Sequence, residues 1–279
     1  MKSGGLRTKD IIKQSKENMP LVTVITVVYN GGKTLEETIL SVINQTYKNI
    51  EYIIIDGASK DNTLEIIKKY DDKIDYWISE TDEGIYYAMN KGIDLATGEY
   101  INFMNSGDSF YDCDVVLSFI SHIMNVDDNI AVFYGNTEVL FKSGHNKIIT
   151  PPQIINGKMD RMKFGHQSSF TKLCIIKSRK FDTKYKIIAD FDFFKFLYIN
   201  KFIFHYVPII ISKYPTDGGI SYDNPGKLLF EQYEINGYLN RRINYISCFF
   251  EIIYTMLKNI LKGVIPISLL NQYRDRKFK

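Results

Sequence analysis

Cysteine is scarce in this 279-residue chain: Cys113, Cys174 and Cys248 are its only three. Their odd number and wide spacing exclude both a disulfide framework and the close pairs of a zinc site, which points to a reducing compartment. An excess of one charge sign is also missing, since 35 Lys and Arg face 32 Asp and Glu for a formal net charge of +3. That balance gives no broad attraction to a phosphate backbone, so nucleic acid is not an expected partner. The polar N-terminus carries Lys and Arg with no apolar run behind it. It is therefore expected to be neither signal peptide nor anchor, with the protein in the cytoplasm. Internal repeats and low-complexity tracts are absent, and so are the glycine loops G-x-x-x-x-G-K-[ST] and G-x-G-x-x-G.

The chain does have enough apolar residues, 45% of the total, to bury one large core or a core with a smaller appended unit. Residues 1–19 read as a loose arm or short leading helix before Pro20. Leu21–Tyr29 (LVTVITVVY) is a β-branched run of the kind buried on both faces of a parallel sheet. Thr34 with Glu37 predicts a capped helix running toward Tyr47. Ile50–Ile55 is a second buried strand, followed by a helix over Asn62–Tyr70. Tyr76–Ile78 and Tyr100–Met104 are further strands, with a helix between them that closes at Gly98. Strands alternating with helices predict an α/β fold with an open, mainly parallel twisted sheet flanked by helices, which binds ligands at its carboxyl edge. Beyond Ile130 the expected elements are a strand over Ala131–Tyr134, a hairpin through Ser143-Gly144, a helix over Asp190–Ile199 and a strand over Phe204–Ile211. Residues 227–262 read as helices.

Polar turns follow four successive strands at Tyr29-Asn30, Asp56, Asp82-Glu83 and Asn105 to Asp108. Together they set oxygens along one rim, where a nucleotide, its diphosphate and a metal would lie in sequence. Without a glycine-rich phosphate loop, a metal held by carboxylate is the natural way to neutralise a diphosphate.

The runs VTVITVVYN, TLEETILSVINQTYKNIEYIIIDGASKDNT and DEGIYYAMNKGIDLATGEYINFMNSGD resemble the nucleotide-binding half of family-2 glycosyltransferases, whose fold is called GT-A. The likeness is close over residues 21–110. Further on, GHQSSF, IIADFDFF and GGIS resemble acceptor-side motifs of bacterial polysaccharide-assembling members. The domain boundaries this implies are an arm over 1–19, a catalytic domain over 20–225 and a C-terminal helical extension over 226–279. Within the catalytic domain, 20–110 would bind the nucleotide and 111–225 would face the acceptor.

The resemblance implies transfer of a hexose or N-acetylhexosamine from a UDP-sugar to a sugar hydroxyl with inversion. Val27, through its backbone, and Tyr29 would line the uracil pocket, and Asp56 would accept a hydrogen bond from the base. An Asx turn closing the strand suits Asp56 as well. Asp82, Asn90 and Lys91 would approach the ribose or sugar, or else serve as a cap and a solvated face. The family's metal motif has several carboxylates, whereas this chain reads Asn105-Ser106-Gly107-Asp108, leaving Asp108 to bind Mn²⁺ or Mg²⁺. Asp190 matches the family's general base, with a helix N-cap as its other reading. Asp192, two residues on, would face elsewhere. His166 and Gln167 would lie beside donor or acceptor. Gly218 and Gly219 would form a loop closing over the diphosphate, or a plain tight turn.

Family members with these motifs build capsule, O-antigen or other surface glycans on a polyprenyl diphosphate carrier. From Ile246 through Phe249, Phe250, Ile253, Met256, Leu257, Ile260 and Leu261 to Val264, apolar residues recur every three or four. Glu251, Lys258 and Lys262 interrupt the stretch, so it is expected to lie on a surface rather than cross a membrane. Arg241 and Arg242 precede it, and Arg274, Arg276, Lys277 and Lys279 follow. These flanks favour peripheral contact with the inner face of the plasma membrane, while packing on the protein itself remains the other reading. Loss of carboxylates at Asn105 and Gly107 also fits an inert nucleotide-sugar-binding or scaffold subunit. A nucleotidyltransferase would need a longer basic glycine loop than Asn30 to Lys33 provides.

Overall fold

A computed structural model describes residues 1–124, 126–141, 144–216, 219–240 and 247–254. The chain divides into two compact units, Met1–Asp217 and Gly218–Lys279. The first unit therefore ends eight residues before the expected boundary at 225.

In chain order the first unit contains β1 (Lys2–Gly4), β2 (Val22–Val28), α1 (Leu35–Ile43), β3 (Ile50–Asp56), α2 (Thr63–Lys69), β4 (Tyr76–Ser79), α3 (Ile85–Leu95) and β5 (Tyr100–Phe103). It continues with β6 (Ser109–Phe110), α4 (Val115–Ile123), β7 (Ile130–Leu140), β8 (Asn146–Ile149), β9 (Ser169–Lys172), α5 (Leu173–Arg179), α6 (Ala189–Ile199) and β10 (Ile203–Pro215).

The strands form a ten-stranded sheet in the order β1-β4-β3-β2-β5-β9-β7-β10-β6, with β8 paired beside β7. The ladders from β4 through β3 and β2 to β5 are parallel. Antiparallel ladders join β5 to β9 and β9 to β7, and β7 pairs with β10 in parallel again, so most of the paired residues are parallel, as expected. Every residue of β2 and β3 is buried, as a strand covered by helices on both faces requires. Their polar members are satisfied internally: the Thr26 hydroxyl donates to the Met104 carbonyl at 2.6 Å. Helix α3 comes so close to β2 that a methyl added at Gly92 would lie 2.8 Å from Ile25. Farther along, Phe119 stacks on Phe170 at 3.9 Å between ring centroids, within the core of the second half.

Residues 1–19 are not a loose arm throughout. Strand β1 pairs antiparallel with β4, and Leu6–Lys9 forms a 3₁₀ turn. Buried charge explains the docking. Glu51 and Asp75 are each 1% exposed, and they meet Arg7 and Lys13 respectively, the latter at 2.8 Å. A carboxylate this deep needs a cation and donors, and the arm brings both cations. Thr34 precedes α1 as expected, but it makes no side-chain cap, and its hydroxyl lies 3.0 Å from that of Ser106. This contact ties the start of α1 to the turn after β5.

The second unit contains α7 (Ile220–Asp223) and α8 (Pro225–Ile235), with Pro225 in the first turn, where its missing N–H costs nothing. Residues 247–254 are helical, with Cys248 buried and Phe249 and Phe250 exposed. Ile246, the stripe from Met256 to Val264 and all the basic flanking residues lie outside the described residues. No helix among the described residues is long and apolar enough to cross a membrane.

Candidate active site

The strand order reverses at β2, where β3 continues to one side and β5 returns on the other. In an open α/β sheet this reversal opens a crevice at the carboxyl ends of the strands. Here the Ser106 amide bridges it, donating to the Val27 carbonyl at 3.2 Å. The Val27 carbonyl is thus already used, and its side chain is buried.

Tyr29 follows β2 and is 62% exposed, a large ring left open at the crevice. Gly57 separates it from Asp82. A methyl on Gly57 would approach Asp82 Oδ2 to 2.9 Å and the Tyr29 ring to 3.4 Å, so only glycine keeps this gap open. Asp82 Oδ1 accepts from the Gly84 amide at 3.0 Å, which caps the approach to α3 and leaves Oδ2 toward the gap.

Asp56 makes the turn contacts the sequence allowed. It is fully buried, and its oxygens accept from the Ser59 amide, from the Ser59 hydroxyl at 2.5 Å and from the Ser79 hydroxyl at 2.6 Å. Ser59 in turn accepts from the Asn30 amide at 2.7 Å, so Asp56 fastens the loops after β2 and β3 to one another. Asn90 is held by the protein as well. Its amide exchanges two hydrogen bonds with the Phe181 backbone, at 2.9 and 3.0 Å. Lys91 pairs with Glu80 at 2.5 Å. Gln167 is buried, and its carbonyl holds the Asn102 amide at 3.0 Å. Gly218 lies outside the described residues, while Gly219, at φ +90, precedes α7 in the second unit.

The turn after β5 is fixed by backbone bonds. Gly107 takes φ +100, and the Asp108 amide donates to the Asn105 carbonyl at 2.9 Å. Thr38 accepts from the Gly107 amide and donates to the Asp108 carbonyl. The Asp108 carboxylate itself has no hydrogen-bond partner among the described residues, and burial raises its pKa to about 6 against the pull of His166. No cluster of three or more His, Cys, Asp or Glu that could hold a metal occurs among the described residues. One unpartnered, desolvated carboxylate fits a divalent ion whose other ligands come from a diphosphate and water.

Beside this turn lies a relay of side chains. His166 Nδ1 is 2.9 Å from Asp190 Oδ2, and His166 Nε2 is 3.2 Å from the Asn105 amide nitrogen. Asp190 Oδ1 accepts from the Tyr86 hydroxyl at 3.0 Å and from the Phe191 amide at 2.9 Å. Burial opposes charge on Asp190, yet His166, Tyr86 and the Phe191 amide outweigh it and hold the carboxyl below its usual 3.8. Burial also opposes charge on His166, and there the carboxylates of Asp190 and Asp108 prevail and lift it above 6.5. Asp192 points away, paired with Arg179 at 2.8 Å.

The structure thus brings together Tyr29 and Asp82 at one end of the crevice, and Asn105, His166 and Asp190 at the other. Tyr86 and Gly57 are site residues that the sequence reading passed over. Tyr86 was legible in principle: it stands three and seven residues before Met89 and Ile93, on the buried side of α3. Gly57 gave no signal, because a glycine after a strand usually marks only a turn.

The chain is similar to several known proteins. An uncharacterized glycosyltransferase of Rickettsia typhi is 32% identical over 209 residues, covering 70% of this chain and 64% of the relative. Staphylococcus aureus TarS 1–349 in complex with UDP-GlcNAc superposes with a TM-score of 0.60 at 17% identity, over 77% of this chain and 64% of that one. The mannosyltransferase PcManGT from Pyrobaculum calidifontis, in complex with GDP-Man and Mn²⁺, does so at 0.59 and 15%, over 97% and 84%. The chain therefore spans just under two thirds of the Rickettsia and TarS chains. The Glycosyl transferase family 2 model matches residues 23–186, more than half of the sequence, and the chain belongs to that family.

Proposed function

We propose that the protein transfers a hexose or N-acetylhexosamine from a UDP-sugar to a sugar hydroxyl with inversion. The observation that carries this reading is the unpartnered carboxylate of Asp108 at the carboxyl edge of the sheet, beside the His166–Asp190 pair. The first suits a cation on a diphosphate and the second suits removal of a proton from an acceptor. The uracil and ribose would occupy the gap between Tyr29, Gly57 and Asp82. A divalent ion, Mn²⁺ or Mg²⁺, would be held by Asp108 and would supply charge neutralisation to the leaving diphosphate. Neighbours of the same fold are known with UDP-GlcNAc and with GDP-Man and Mn²⁺, which supports a nucleotide-sugar donor.

The acceptor in this proposal is a glycan on a polyprenyl diphosphate at the inner face of the plasma membrane, in assembly of capsule, O-antigen or a similar polysaccharide. The exposed Phe249 and Phe250 support a peripheral lipid contact. A second reading rests on the single carboxylate of the turn: an inert nucleotide-sugar-binding or scaffold subunit. A donor screen by release of nucleoside diphosphate, with and without Mn²⁺ and aryl or lipid-linked glycosides, separates the two. Metal-stimulated UDP release supports the enzyme. Tight UDP binding with no turnover of any donor establishes the inert subunit.

A further inference from the structure

Tyr214 lies one residue from the end of β10. Strand β6 pairs antiparallel with β10, Ser212 opposite Phe110 and Lys213 opposite Ser109, and one further step of that register sets Tyr214 opposite Asp108. Residues facing each other across an antiparallel pair send their side chains to the same face of the sheet. The Asp108 charge is accordingly felt at the Tyr214 phenol.

The neighbours on β10 fix which face this is. Ser212 and Tyr214 are two residues apart and share it, and the buried Ser212 Oγ lies 2.6 Å from Ser168 Oγ, at the end of the 3₁₀ turn that opens with His166. Lys213, between them, points the other way, toward Glu37 at 4.0 Å. The Tyr214 ring is half-buried, yet its hydroxyl has no hydrogen-bond partner among the described residues and keeps contact with solvent. A tyrosine with a packed ring ordinarily bonds its hydroxyl to something.

We infer that the Tyr214 hydroxyl donates a hydrogen bond to the sugar-bearing phosphate of the bound donor. This rests on the reading above of a diphosphate lying along the crevice, its nucleoside toward Tyr29 and its cation on Asp108. In the sheet order β10 lies beyond β5, β9 and β7 from β2, so a residue at its end meets the phosphate farther from the uracil. A neutral phenol suits that place, because a lysine there would pair with Asp108 and compete with the cation. In transfer, the acceptor O–H bond breaks and its proton goes to the His166–Asp190 pair while the acceptor oxygen bonds to the anomeric carbon. The bond from that carbon to the phosphate oxygen breaks, and its electron pair leaves with the diphosphate. Tyr214 keeps its own proton throughout. Charge gathers on the departing phosphate, so the hydrogen bond is stronger then than in the resting complex.

The test is calorimetry on the full chain with Mn²⁺, comparing UDP with UMP, which lacks the second phosphate. Tyr214→Phe keeps the ring and removes only the hydroxyl, so its melting temperature should match the parent's. UDP affinity should fall about tenfold, as for the loss of a hydrogen bond to a charged group, while UMP affinity stays unchanged. With a donor that the parent turns over, kcat should fall by on the order of a hundredfold. A Tyr214→Phe protein that binds UDP as the parent does would overturn the inference. Equal losses for UDP and UMP, or a lower melting temperature, would overturn it too, because the hydroxyl would then be holding the protein and not the phosphate. The affinities need no turnover, so a parent that transfers from no donor loses the transfer reading while the Tyr214 contact is still decided. A parent with no preference for UDP over UMP would remove the diphosphate site and this inference with it.

Discussion

The Tyr86 hydroxyl stands 3.0 Å from Asp190 Oδ1 and 2.9 Å from the Ile187 carbonyl, joining α3 to the start of α6 across about a hundred residues of sequence. Replacing Tyr86 by Phe removes the one hydroxyl proton that these two acceptors share. We expect a loss of roughly 1–3 kcal/mol in urea unfolding, the usual cost of stranding such groups. Because Asp190 also loses a donor, turnover should fall by more than UDP affinity does. A Tyr86→Phe protein of unchanged stability would show that the hydroxyl is not held there in solution.

Glu51 makes the arm part of the fold. Its carboxylate meets Arg7 and accepts from the Thr23 hydroxyl at 2.6 Å and the Thr97 amide at 2.8 Å. Arg7→Met keeps the aliphatic stem but leaves a buried charge without its cation, which should cost about 3 kcal/mol. The double variant Arg7→Met, Glu51→Gln should recover part of that loss. Equal stabilities of the parent and Arg7→Met, by denaturant titration, would mean the pair contributes nothing.

Asp108 should set function against stability. Its folded pKa of about 6 lies above the ordinary 3.8, so the folded protein binds the extra proton between those values. Stability from this group therefore rises as pH falls through 6, and the charge is a liability above it. Asp108→Asn should stabilise the metal-free protein at pH 8, on the order of 1–3 kcal/mol, with the difference vanishing below pH 4. The same variant should lose the strengthening of UDP binding by Mn²⁺. A destabilised Asp108→Asn protein at pH 8 would contradict the burial argument.

Gly57→Ala tests the gap between Tyr29 and Asp82. The backbone there tolerates alanine, so the melting temperature should move little. The added methyl should weaken UDP binding about tenfold, roughly 1.4 kcal/mol, by calorimetry. Unchanged affinity would place the nucleotide elsewhere.

The parallel half of the sheet was legible because its strands are buried on both faces. Leu21–Tyr29 and Ile50–Ile55 could hardly be anything else, and the structure moves their ends by about one residue. The docking of residues 1–19 was hidden, since it depends on Arg7 and Lys13 meeting carboxylates that look like surface charges in the sequence. Among site residues, Asp56 and Asn90 stand at the expected strand end and helix, and nothing in the sequence signalled their hydrogen bonds to Ser59, Ser79 and Phe181. Sequence position reports which strand end a side chain leaves from, and says little about whether its lone pairs are already taken. The relay from Asn105 to Asp190 spans β5, the turn at His166 and α6, so it exists only once β9 has brought these segments together.

Strand β1 has a bearing on how the protein behaves at high concentration. The edge of β4 would otherwise offer a row of unpaired amides and carbonyls to any passing strand, and three residues of the arm cover it, Lys2 opposite Ser79 and Gly4 opposite Trp77. The new edge is only three residues long and carries a lysine, too short and too charged to template another chain. Shortening the arm would thus do more than remove Arg7 and Lys13 from their carboxylates. It would uncover a sticky border beside Trp77, and precipitation would be the first sign of it.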